Sequence, residues 1–232
     1  MTPHYRFPRP TELNRRLPKE ALYQRLNPTA ALRQLFVTQV QEINWSHKLS
    51  SDTLNMAAVG DYPELQVFDI ELKAAVCELD EQLLRAIDGQ IVHPIFFRIH
   101  RRVGEQHQIQ YQLAYKAPAV VGSDKVKIGD YFASDWLPMP EPDSLVALPV
   151  ALDIAQLYRI LLQGVTPHPP RSEEPLRDWI IRLDELTKLD KRIRRLQSQL
   201  QKERQFNRKV EMNAQLRQLK NEFQKLTKGM DV

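Results

Sequence analysis

Leu65-Gln66-Val67-Phe68-Asp69-Ile70-Glu71-Leu72-Lys73 is the stretch on which the reading of this chain turns. Apolar and charged residues alternate along its second half. Strand side chains point to opposite faces in turn, so Phe68, Ile70 and Leu72 share one face and Asp69, Glu71 and Lys73 the other. The apolar face asks for a helix to bury it. The charged face becomes a row of acid, acid and lysine at steps of about 7 Å.

Gly60-Asp61-Tyr62-Pro63 reads as the turn that delivers the chain into this strand. Before it, Asn27-Pro28-Thr29 starts a helix. Leu32, Leu35, Phe36, Val40 and Ile43 then recur every three or four residues, which predicts an amphipathic helix over 29–44 with Glu42 near the edge of its apolar face. Residues 49–56 are a weak strand candidate. The first 27 residues read as an arm made basic by Arg15, Arg16, Lys19 and Arg25, with short helices near 11–16 and 18–25.

After the strand, Leu79, Leu83, Leu84 and Ile87 form the stripe of a helix that Gly89 stops. Residues 94–100 and 108–115 read as strands joined around Gly104 in an antiparallel hairpin. Residues 125–134 offer one more strand. Trp136 and Pro138, Pro140 and Pro142 form a loop, and 153–162 is a helix stopped by Gly164.

Four prolines within residues 165–175 keep that segment extended and mark a linker. The expected organisation is a mixed α/β domain over 1–164, the linker, and a helical segment over 176–228. In the last part Leu186, Leu189, Ile193, Leu196 and Leu200 form one stripe, and Met212, Leu216, Leu219, Phe223 and Leu226 another. The stripes are out of phase across residues 204–209. An antiparallel helical hairpin buries each against the other. A stuttered coiled coil that dimerises through 176–228 is the alternative.

Composition narrows the function classes. The 232 residues carry 33 Lys+Arg and 29 Asp+Glu, a net charge of +4. Residues 1–170 hold 17 basic and 19 acidic side chains, whereas 171–232 hold 16 and 10. The basic character therefore belongs to the tail, where Arg192, Arg194, Arg195, Lys202, Arg204, Arg208 and Lys209 are the candidates for contacting phosphates or an acidic partner. A solvated helix face has the same composition. A single cysteine, Cys77, rules out an intrachain disulfide and a cysteine-rich zinc site. No apolar run is long enough to span a bilayer, and residues 1–30 do not resemble a signal peptide, so a cytoplasmic protein without membrane contact is expected. No Gly-rich phosphate loop and no His-x-x-x-His pair is present.

The charged row admits one specific chemistry. Restriction-endonuclease-like folds place one acid on a strand and an acid-x-Lys on the next, after a helix that can add a further acid. Two carboxylates hold Mg²⁺, which takes hard oxygen ligands, and the lysine helps position the nucleophile. Glu71-Leu72-Lys73 is the acid-x-Lys here. Asp61 is the candidate second acid, Asp69 the second choice, and Glu42 a possible addition. The competing reading is a solvated strand face, on which such alternation is ordinary.

The segments Glu12-Leu-Asn-Arg-Arg-Leu-Pro18, residues 32–45, the 65–73 strand, Leu84-Arg-Ala-Ile-Asp88 and His93-Pro-Ile-Phe-Phe97 resemble a bacterial family catalogued as domain of unknown function 4391. The tail segment Lys202-Glu-Arg-Gln-Phe-Asn-Arg-Lys-Val-Glu-Met-Asn213 is similar to that family's helical tail. The resemblance spans nearly the whole chain and brings no catalytic motif. It implies a gene encoded beside helicases and DNA methyltransferases of restriction or phage-defence type. Two functions follow as expectations. The first is an accessory subunit that docks on a helicase, a methyltransferase or DNA through its basic hairpin. The second is a Mg²⁺-dependent nuclease using Glu71, Lys73 and an upstream Asp.

Overall fold

Residues 64–72 form the strand about which the sheet is built, in a computed structural model that describes residues 2–118 and 127–228. The elements run β1 (Tyr5–Arg6), a 3-10 turn (Arg9–Thr11), β2 (Glu12–Arg16), α1 (Lys19–Leu26), α2 (Ala30–Gln39), β3 (Val40–Ser50), α3 (Ser51–Leu54) and β4 (Glu64–Leu72). They continue with α4 (Glu81–Asp88), β5 (Ile95–Val103), β6 (Gln106–Lys116), β7 (Ile128–Ala133), β8 (Leu137–Pro138), a 3-10 turn (Pro142–Ser144), β9 (Val146–Ala147) and α5 (Ile154–Val165). Two long helices, α6 (Leu176–Lys202) and α7 (Phe206–Lys228), complete the order.

The architecture is α+β with a mixed sheet. Strand order is β2-β3-β4-β5-β6-β7, and β8 pairs β6. The β4–β5 pair is parallel, because α4 carries the chain back across the sheet between them. The other pairs of this sheet are antiparallel. At the β5–β6 turn Gly104 has φ +59°, a conformation that a side chain disfavours.

Both faces of β4 are covered. Phe68, Ile70 and Leu72 join Phe36, Val40, Ile43, Leu83, Leu84, Ile87, Phe97 and Ile99 in a core packed by α1, α2 and α4. On the reverse face Leu65, Val67 and Phe96 are buried apart from that cluster. Helix α5 packs against β4, β6 and β7, and its Tyr158 hydroxyl donates to the Ala114 carbonyl and accepts from the Lys116 N–H. The competing reading of a solvated face is thereby corrected at the Leu65–Val67 end, while Glu71 at the other end stays about a third exposed.

Several local expectations also change. The predicted helix over 29–44 ends at Gln39, and residues 40–50 are the long strand β3. Val40 and Ile43 satisfy a helical spacing, yet they also fit a strand whose partner is β4, and pairing along nine positions prevails. Glu42 is accordingly on a strand, not a helix. Residues 51–54 form a short helix capped reciprocally by Ser50 and Thr53. Residues 12–16 are a strand pairing with β3. Gly164 lies inside α5 rather than ending it. The candidate strand at 125–134 appears as β7, with Lys125 and Val126 outside the described residues.

The chain divides into two compact units, Met1–Pro167 and His168–Val232. Within the second, α6 and α7 pack together as an antiparallel pair. Arg171 donates to the Leu226 carbonyl and His168 meets the Phe223 ring, so the start of the unit touches the end of α7. Leu183, Leu186, Leu189, Ile193 and Leu216 are its buried leucines and isoleucine among the described residues. No helix among the described residues is long and apolar enough to cross a membrane.

Candidate functional site

Register sets the chemistry around β4. Asn44, Asp69, Arg98 and Tyr111 are neighbours across β3, β4, β5 and β6. Two residues further along, Glu42, Glu71, His100 and Ile109 form the next row. Rows two apart share a face, so the charged groups of β4 meet those of β5 on the face away from α1, α2 and α4.

Asp69 is spent inside this face. Its two oxygens accept from Arg98 Nε and Nη2 at 2.6 Å each, and His100 Nε2 lies 3.1 Å from Oδ1. Burial alone would raise this carboxyl. The His100 hydrogen bond and the Arg98 guanidinium outweigh it and hold Asp69 well below the usual carboxylate range. Arg98 also donates to Ser46 Oγ and lies over the Phe7 ring at 5.3 Å. His47, beside it, is pushed down to about 4 by burial and by Arg98, against the pull of Asp69.

Glu71 is placed differently. Its carboxylate lies 3.8 Å from Arg102 Nε and 3.9 Å from His107 Nε2. The His100 and His107 rings are 5.5 Å apart. One ligand atom each from Glu71, His100 and His107 falls within 4.8 Å of the others. His107 Nε2 is buried and has no hydrogen-bond partner. Burial pushes His107 below its ordinary value; Glu71 opposes this, and His100 and Arg102 add to it.

The residues proposed for a Mg²⁺ site do not converge. Asp61 is exposed in the turn before β4, and Glu71 lies near the far end of that strand, about 20 Å away at the rise of extended chain. Asp69 is held by Arg98. Lys73 follows the strand, and its backbone N–H donates to the Gln39 carbonyl. Its charge is felt by Lys19, which burial and then Lys73 push downward, and the helix of Lys19 packs on the opposite face from Glu71. Glu42 pairs with Arg16 at 3.2 Å. Of the proposed set, only Glu71 stands in a group with metal-binding geometry. The cavity beside β4, of about 280 Å³, opens on the Phe68 face among Arg15, Arg25, Trp45 and Gln66, not on the acid row.

Sequence reasoning passed over His100 and His107, which form no His-x-x-x-His pair. A signal was available. With Gly104 in a two-residue turn, Arg102 must face His107 and His100 must face Ile109, which brings the two imidazoles into diagonal contact.

The second candidate surface lies in the α6–α7 unit. Residues 191–210 contain eight Lys and Arg and a single acid, Glu203. They span the end of α6, the connection and the start of α7. Arg194 pairs with Asp190 at 2.8 Å, and Arg208 lies 3.9 Å from Glu203. Lys191, Arg192, Arg195, Lys202 and Arg204 have no acidic partner among the described residues, whereas Lys209, like Arg208, acts on the Glu203 carboxylate. All five are exposed. Phe206 stands among them 77% exposed.

Comparison with known proteins adds one match. A family model described as domain of unknown function (DUF4391) covers residues 6–223. No curated protein and no solved structure matches.

Proposed function

The chain belongs to the DUF4391 family, and we propose that it is an accessory subunit of a bacterial DNA-processing assembly of restriction or anti-phage type. In this reading the connecting end of the α6–α7 pair is the docking surface. It sets on DNA phosphates next to a helicase or DNA methyltransferase subunit, and the sheet unit completes the assembly. The observation that carries the reading is the five cations without an acidic partner among the described residues of 191–210. Cations without acidic neighbours are free to displace counterions from a polyanion. The exposed Phe206 adds an aromatic face of the kind that stacks on an unpaired base.

A gel-shift titration with the full chain tests it. Affinity for duplex DNA should fall by about five hundredfold between roughly 50 and 200 mM salt if about five phosphates are engaged. Co-purification with the helicase or methyltransferase subunit should be lost when Arg192, Arg195, Lys202 and Arg204 are changed together to Glu. Unchanged binding in that variant would remove the hairpin as the docking element.

The nuclease alternative, with a restriction-endonuclease-like sheet, retains the order α2-β3-β4-α4-β5 and Glu71. It needs a second acid beside Glu71 that neither Asp61 nor Asp69 supplies. Plasmid nicking in Mg²⁺ that disappears in Glu71→Ala and Lys73→Ala would revive it; no such nicking is expected.

A further inference from the structure

We propose that Glu71, His100 and His107 form a binding site for one divalent transition-metal ion of the zinc class. The site draws one residue from each of three adjacent strands, β4, β5 and β6. Its three candidate ligand atoms lie within 4.8 Å of one another.

Three observations beyond proximity support it. First, His107 Nε2 is buried with no hydrogen-bond partner, and Glu71 Oε2 at 3.9 Å is too far to serve as one. A buried ring nitrogen left unpaired is costly, and a metal ion satisfies it. Second, His100 is held from the side by Asp69, itself locked by two 2.6 Å bonds from Arg98. A carboxylate that orients a ligating histidine is the usual support of such sites. Third, the exposures suit capture. The His100 side chain is 11% exposed and fixed, whereas Glu71 and His107 are 31% and 33% exposed and able to rotate. Ligands of a bound zinc stand about 3.3 Å apart, given bonds of about 2.0–2.1 Å. Closing from 4.8 Å asks each mobile side chain to move by roughly an ångström.

Donor type selects the ion. Two imidazoles and one carboxylate suit zinc and its first-row neighbours, whereas Mg²⁺ prefers an all-oxygen octahedron. Three protein ligands leave a fourth position for water or another ligand. Arg102, 72% exposed and 3.8 Å from Glu71, is the competing cation and can swing into solvent. This proposal is independent of the hairpin reading and survives its failure.

Cobalt titration of the metal-stripped full chain is the test, because tetrahedral Co²⁺ absorbs visibly. One equivalent of Co²⁺ should bind with a visible band that Zn²⁺ abolishes and excess Mg²⁺ does not. Glu71→Gln and His107→Ala should each weaken Zn²⁺ binding by about 100-fold or more. Arg102→Ala should bind as well or more tightly. His107 lies near the strand turn and is a third exposed, so His107→Ala keeps the test alive if Glu71→Gln fails to fold. Absence of a stoichiometric site would overturn the proposal. So would equal Zn²⁺ affinity in wild type and His107→Ala, which would assign the metal to other histidines.

Discussion

The two units of this chain treat charge in opposite ways. In the Met1–Pro167 unit the charged groups near the core are paired within the fold. Asp69 holds Arg98 and His100. Lys116 is 1% exposed and Asp88 2%; they pair directly, and the ammonium also donates to the carbonyls of Asp88, Ile91 and His93. Burial pushes Asp88 up and Lys116 down, each shift opposed by the partner's charge. Among the described residues of the His168–Val232 unit one such arrangement exists, Arg182 with Glu174. Beyond it, charge among the described residues lies on the surface, where cations outnumber acids and the ion pairs, such as Arg194 with Asp190, are exposed. The contrast teaches that charge bound inside the first unit serves the fold, whereas charge without a partner in the second is available to something outside it.

The largest expected effect is on the first side of that contrast. Lys116→Met leaves Asp88 buried beside three carbonyls that lose their donor. It should destabilise the protein by about 3–5 kcal/mol in urea unfolding; a loss under about 1 kcal/mol would show the pair to be dispensable. Next is Glu174→Gln, which removes the negative charge and one of the two bonds, 2.7 and 2.6 Å, that Arg182 donates to it. A cost of about 2 kcal/mol is expected. Glu174 is held below its ordinary range by the Arg182 hydrogen bonds. Its contribution is therefore complete above the unfolded pKa and fades as pH falls through the folded one, which an acid titration of the helical signal would follow.

A smaller effect concerns His47. Its folded value of about 4 lies below the ordinary 6.5. The unfolded chain thus binds more protons between those values, and stability should rise with pH across that window. With the side chain partly in solvent, about 1 kcal/mol is expected, absent in His47→Gln. Smallest of all is the stability change on removing Arg192, Arg195, Lys202 and Arg204 together. Exposed side chains without partners contribute with either sign, and their sum should stay under about 0.5 kcal/mol. A marked loss of stability would erase the contrast, since the cations would then be serving the fold.

Much of the fold is legible from periodicity. The 65–73 alternation, the hairpin about Gly104 and the two stripes of the tail all depend on local spacing. Helix α2 and strand β3 were harder to separate, because Val40 and Ile43 suit either period and only the long-range partner β4 decides. The site was less legible still. An acid on a strand looks the same in sequence whether its neighbour is water or arginine. Asp69 faces Arg98, 29 residues away, and Glu71 meets His107 across two strands, so pairing that sequence does not print determines what each acid can do.

The account rests most directly on the binding of labelled duplex DNA by the full chain, followed by fluorescence anisotropy at rising salt, for wild type and for the variant with Arg192, Arg195, Lys202 and Arg204 changed to Glu. The account predicts binding at low salt that falls steeply as salt rises and is lost in the variant. Equal binding by both proteins, or binding indifferent to salt, would contradict it.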